Sequence, residues 1–277
     1  MEQEREYGSI IVSKKDQVAT ISFLTRSKIG AGKPIPWEIS SALNDLREDI
    51  ETRVIVFTGA EGHFKIPRQK EVYHREVNNP ADILTKDWYG GMGLMRCLMT
   101  MADIEKPIVA KVNGDAIGFG QSLAFGSDFI IAREDATFLD HHMGGTFMAD
   151  YDGEVKEGGH DFSIVPGDGG AALVPLHMSP CKAKEYLMLA EPITAAELAR
   201  LGIINYAVPA AELDAKVDAF VNRLLSKGAY ALAWTKRVVN KRLMQHLILT
   251  MDAGIAYERV NFLHLEKLGG VEKKTFA

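Results

Sequence analysis

The feature that most constrains the fold is a pair of short apolar runs, residues 107–112 (PIVAKV) and 128–132 (DFIIA), joined by a link that carries Gly114, Gly118 and Gly120 and then a helical run to Phe125. Strand, glycine turn, helix and strand in that order belong to an α/β core. The segments before it agree. Ala19, Ile21 and Phe23 fall on one face of a period-2 pattern, and residues 54–57 form an apolar run closed by Thr58-Gly59. Between these lies a predicted helix over residues 37–50, with Ile39, Leu43 and Leu46 at helical spacing. The later segments are helical: Leu213, Val217, Phe220, Val221 and Leu224 form one stripe, and Leu232, Thr235, Val239 and Leu243 a second. The change from mixed to helical structure falls near residues 190–201.

A chain of 277 residues with 47% hydrophobic and 25% charged side chains can bury a sizeable core, which excludes disorder and fibrous architectures. The net charge is −5 and no lysine/arginine tract occurs, so nucleic acid is not an expected partner and a small molecule is. Cys97 and Cys181 stand far apart, which suggests neither a disulfide framework nor a thiolate metal site. The acidic N-terminal residues and the lack of an 18-residue apolar run argue against a leader or a membrane span, so a cytoplasmic protein is expected.

Two glycine turns, residues 59–64 and 114–120, lead from strands toward helices and present backbone N–H groups where a developing negative charge is stabilised. Tight turns alone are the competing explanation. The dinucleotide fingerprint fails, because Gly118-Phe119-Gly120 is followed by Gln121, Ser122 and Leu123. Residues 140–161 read as a long loop, rich in acidic residues and glycine, that carries His141, His142 and His160; such a loop is a lid, a binding loop or a disordered segment. Asp140, His141 and His142 could bind a metal, but adjacent histidines on a strand point apart, and no metal is expected.

Residues 106–120 (KPIVAKVNGDAIGFG), with residues 127–132, 136–138, 164–170 (IVPGDGG) and the later segments 183–187, 193–199, 201–205 and 236–240, resemble the core signature of the crotonase (enoyl-CoA hydratase/isomerase) superfamily. The resemblance runs from about residue 10 to 257. It implies an α/β fold built as a ββα spiral core over residues 1–195 and a C-terminal helical trimerisation region over residues 196–277. It also implies a homotrimer or dimer of trimers, and an oxyanion hole whose donors, carried over by position, are the N–H groups of Ile66 and Phe119. Gly118 and Gly167 would line the substrate, and no cofactor is implied beyond coenzyme A as part of an acyl-CoA substrate. The chain departs from the family at Pro67, where glycine is usual, and at Gln69, where aspartate is usual; both bear on the turn that contacts the adenine of coenzyme A. Both hydratase glutamates are absent. Their positions fall at Ser122 and, counting back from Pro166 without gaps, at Gly159.

The leading expectation is therefore an enzyme that stabilises an acyl-CoA enolate as an isomerase, lyase or hydrolase rather than as a simple hydratase. One alternative is a coenzyme-A-independent β-diketone hydrolase. The turn at residues 164–169 is similar to that branch of the superfamily, as are a preceding histidine, Trp37 and a glutamate at Glu258. A second alternative is an inactive crotonase-fold subunit that only binds. The resemblance makes Asp168, His160 and Glu258 the candidate proton-transfer residues and Trp37 a substrate contact. Each has a bland counterpart: a helix N-cap for Asp168, a solvated loop residue for His160, a solvated helix face for Glu258 and core packing for Trp37.

Overall fold

The computed structural model describes residues 3–24, 34–66, 80–144, 147–149, 155–157 and 163–267. Its large sheet has seven strands in the order β1 (Gln3–Glu6), β2 (Ile10–Lys15), β3 (Val18–Phe23), β4 (Val54–Gly59), β5 (Ile108–Val112), β7 (Phe129–Arg133) and β12 (Tyr206–Val208). Pairing is antiparallel from β1 to β3 and parallel from β3 onward. A smaller sheet is ordered β11 (Ile193–Thr194), β8 (Thr137–Leu139), β6 (Ala116–Ile117). The chain thus runs from β5 into β6 and from β7 into β8, laying one strand in each sheet per turn before a helix follows. This is the expected ββα progression.

The helices are α1 (Ile35–Glu48), α2 (Pro80–Asp103), α3 (Phe119–Phe125), α4 (Gly170–His177), α5 (Pro180–Leu189), α6 (Ala195–Arg200), α7 (Leu213–Leu225) and α8 (Ala229–Lys267). A strand covered on both faces needs apolar residues at every position, and β4 is buried throughout. Its Ile55 and Phe57 enter the main core with Ala19, Ile21 and Phe23, while Val54 and Val56 pack under Leu213, Val217, Val221 and Leu224 of α7. Residues on either side of position 195 share the large sheet, because β12 pairs with β7. No helix among the described residues is long and apolar enough to cross a membrane.

Three expectations need correction. Residues 140–161 are not wholly irregular, since β9 (Phe147–Ala149) and β10 (Val155–Glu157) form an antiparallel pair. The Thr235/Val239 stripe is not the buried face of α8: Val239 is exposed, and the inward positions include Lys236, Leu247 and Met251. Lys236 takes an interior position because Asp128 lies 2.7 Å from its Nζ and the Lys106 carbonyl accepts from it at 2.9 Å. Nor do His141 and His142 point apart. Strand alternation ends with β8 at Leu139, and in the turn beyond it the two rings stack at 5.1 Å.

The two glycine turns pack backbone on backbone. Asn113 clamps the end of β4, its Nδ2 donating to the Gly59 carbonyl at 2.7 Å and its Oδ1 accepting from the Gly59 N–H at 3.1 Å. A Cβ at Gly114 would sit 2.0 Å from the Gly62 carbonyl oxygen, and one at Gly120 would sit 2.6 Å from that of Phe64. This contact brings residues 64–66 alongside the start of α3. Gly114→Ala should therefore lower stability by ~1–3 kcal/mol through forced backbone displacement. A thermal midpoint reduced by several degrees checks it; an unchanged midpoint would show that the turns give way easily.

Candidate active site

The site forms where the turn after β8, the turn before α4 and the far part of α8 meet. His142 Nδ1 lies 2.7 Å from Asp140 Oδ1, and its Nε2 lies 3.7 Å from both Asp168 Oδ2 and Glu258 Oε1. Asp140 also accepts from the His142 backbone N–H at 3.1 Å and from Gln121 Nε2 at 2.9 Å. Glycines permit the convergence. A Cβ at Gly170 would lie 1.9 Å from Asp140 Oδ2, one at Gly167 2.4 Å from Glu258 Oε2, and one at Gly118 2.5 Å from His141 Cε1. Gly118 also has φ +55°, a conformation L side chains rarely adopt.

Burial and mutual charge set the protonation states. Burial pushes the Asp168 carboxyl up, opposed by the His142 charge and supported by that of Asp140, and its pKa stands at about 6. Glu258 is pushed up to about 7, again chiefly by burial, with His142 opposing and Asp168 and Asp140 adding. For His142 burial favours the neutral ring, but the charges of Asp168, Asp140 and Glu258 outweigh it and hold the pKa well above 6.5. Asp140 is held below its ordinary value, because His142 more than offsets its own burial. Titratable groups near neutrality, packed around one imidazole, are suited to proton transfer.

The expected residues are placed unevenly. Asp168 and Glu258 both lie against His142, whereas His160 lies outside the described residues, as do Pro67, Gln69 and Gly159. The histidine between the carboxylates is His142. Asp168 is not the N-cap of α4; Gly169 is, at φ 119°. Ser122, at the first hydratase position, is buried beside Gly169. Phe119 is the first residue of α3, so its N–H has no acceptor within the helix, and Ile66 closes the segment packed alongside. Trp37 lies on α1 with its indole against Gly93 of α2 and the Arg96 guanidinium over the ring at 5.8 Å. The same α2 reaches Gly169 through Leu98.

Asp140, His142 and Asp168 each offer one ligand atom within 4.8 Å of the others, a set that could hold a metal ion. The 2.7 Å contact already joins His142 to Asp140. A groove of about 250 Å³ runs between the Val165–Ala172 turn and α8; its lining includes Pro166, Gly167, Gly169, Gly254 and Tyr257 but none of the four titratable groups.

The enoyl-CoA hydratase/isomerase family model matches residues 15–267. A crotonyl-CoA hydratase of Syntrophomonas wolfei is 27% identical over 85% of this chain and 82% of its own length. A probable mitochondrial enoyl-CoA hydratase of Dictyostelium discoideum is 29% identical over 98% and 91%. Among solved structures, an enoyl-CoA hydratase/isomerase from Mycobacterium paratuberculosis superposes with a TM-score of 0.74 at 25% identity, covering 92% of this chain and 94% of that one. A β-diketone hydrolase from Anabaena sp. PCC 7120, bound to (S)-3-oxocyclohexyl acetic acid, shares the fold with the same TM-score and coverage at 21% identity.

Proposed function

The chain belongs to the enoyl-CoA hydratase/isomerase family, and from that premise we propose that it is a hydrolase which cleaves the carbon–carbon bond between the two carbonyl groups of a β-diketone. The observation that carries this reading is His142, held at Nδ1 by Asp140 and facing two carboxylates at Nε2, in a chain with Ser122 at the first hydratase glutamate position. Adding water across an enoyl double bond calls for the paired glutamates of that family, whereas retro-Claisen hydrolysis calls for a base for water and an acid for a carbanion.

In the proposed mechanism Glu258, with a pKa of about 7, takes a proton from water as the oxygen adds to one carbonyl. The tetrahedral oxyanion collapses, the bond to the central carbon breaks, and the electron pair passes into the enolate of the other carbonyl. The Ile66 and Phe119 N–H groups hold that enolate oxygen. The imidazolium of His142 protonates the carbon, and the proton on Glu258 passes to His142, so one water is consumed and a carboxylic acid and a ketone form, joined as one keto acid where the diketone is cyclic. Asp168 balances the charge on His142 and orients it. No cofactor or metal enters these steps.

The names of the curated relatives favour a second reading, in which the enolate is that of an acyl-CoA thioester. The two separate in one experiment with crotonyl-CoA and cyclic 1,3-diketones as parallel substrates. We expect diketone hydrolysis, seen by mass spectrometry as the gain of one water, and negligible crotonyl-CoA hydration, since an acid and a base each contribute on the order of 10²- to 10⁴-fold. Fast crotonyl-CoA hydration without diketone cleavage would refute the proposal. Val238, Val239, Leu249, Tyr257 and Val260, all exposed on α8, supply an apolar face for the homotrimer or dimer of trimers in which we place the enzyme.

A further inference from the structure

Behind the His142 cluster the core contains two polar side chains, Gln121 and Tyr186, that the proposed chemistry does not use. Tyr186 on α5 donates its hydroxyl to Gln121 Oε1 at 2.5 Å, and Gln121 Nε2 on α3 donates to Asp140 Oδ2 at 2.9 Å. Asp140 Oδ1 then meets His142 Nδ1 at 2.7 Å. Gln121 is 0% exposed, Tyr186 4% and Asp140 0%, so water cannot substitute for a missing partner. Each link has one possible direction. An ionised carboxylate only accepts, so Gln121 must turn its NH₂ toward Asp140, which leaves its oxygen toward Tyr186. Burial raises the tyrosine pKa well above 10 and keeps its proton in place as a donor. Both oxygens of Asp140 are thereby assigned, one to the amide and one to the imidazole.

We propose that Gln121 and Tyr186 are positioning residues that hold the Asp140 carboxylate and, through it, keep the proton of neutral His142 on Nδ1, so that Nε2 alone faces Asp168 and Glu258. A network in which every buried donor and acceptor is matched admits one arrangement, and loss of any member admits others. The inference rests on the reading of His142 as the proton-transfer group, but it has a readout of its own. Nitrogen-15 NMR of histidine-labelled protein reports the tautomer and titration of His142 without any substrate, the resonances being assigned by their loss in His142→Asn.

In the parent protein we expect the His142 imidazolium near neutral pH and, in alkaline solution above its pKa, where the variants are compared with it, a neutral ring protonated at Nδ1. Tyr186→Phe deletes one oxygen and frees the Gln121 amide; Gln121→Leu removes both links. In both variants the Nδ1 and Nε2 shifts should move toward each other as a second tautomer becomes populated, more in Gln121→Leu. Turnover should fall by about tenfold or more with KM changed less than about threefold, as expected of groups that act through another residue. If His142 keeps the parent shifts and titration in both variants, the proposal is overturned. If Gln121→Leu does not fold, Tyr186→Phe decides alone. Absence of diketone cleavage in a parent that shows the expected tautomer would count against the proposed reaction and not against this network.

Discussion

His142→Asn should lose turnover by on the order of 10²- to 10⁴-fold, the range for removal of a proton-transfer group, while remaining folded. An asparagine amide nitrogen can occupy the place of Nδ1 and continue to donate to Asp140, so the buried carboxylate keeps a partner. What disappears is Nε2, the atom that faces Asp168 and Glu258 at 3.7 Å. Alanine is the poorer test, since it strands the Asp140 charge in the core and confounds activity with stability. Thermal midpoint and diketone turnover measured together settle the matter. Activity within about tenfold of the parent would remove His142 from the mechanism.

Glu258→Gln should lower turnover by a similar order and raise stability in alkaline solution. The folded-state pKa of Glu258 is about 7 against an ordinary value of 4.5, so the folded protein binds this proton more tightly than the unfolded chain does. That contribution to stability is fully present below the ordinary value and is lost as pH rises through about 7. Glutamine stays neutral throughout. The variant should therefore match the parent near pH 4 and exceed it near pH 8 by on the order of 1–3 kcal/mol. Its activity should also lose the rise with pH through neutrality that an essential base imposes. Higher stability with lower activity marks a group placed for function. A variant less stable at pH 8 would make Glu258 a structural partner of His142.

Much of this arrangement was legible in the residues, because the relevant patterns are local. The inward row of Ala19, Ile21 and Phe23 and the stripe of α7 follow directly from strand and helix periods. The two glycine turns are visible too, but their packing on one another is not, since it joins segments about fifty residues apart. The position of His142 between the carboxylates is not legible in the sequence, for a geometric reason. Judged by chain distance, His160 is nearer to Asp168, whereas His142, which lies against Asp168 in space, is parted from it in sequence by most of the 140–161 segment. The usable signal was Asp140-His141-His142 directly after a strand of apolar residues, since side chains just beyond strand ends are where α/β folds gather their chemistry. Asp168 and Glu258 are candidates by resemblance alone, and nothing in their local sequence distinguishes a desolvated carboxylate from a cap or a wet helix face. Lys236 shows the same limit, because its buried position depends on Asp128, more than a hundred residues earlier.

Glu258 reaches the site on α8, whose last fully buried apolar anchor before it is Met251; from there to His264 the residues are half-buried or exposed. Few apolar contacts hold this stretch, and the carboxylate it delivers resists desolvation once ionised. The two effects act in the same direction, which makes the end of α8 the part of the site that opens first in local unfolding, well before the sheet yields. Loss of activity at alkaline pH is then expected to follow fraying of one helix and not global denaturation, and a partner packed along that helix would protect the chemistry by suppressing the fraying.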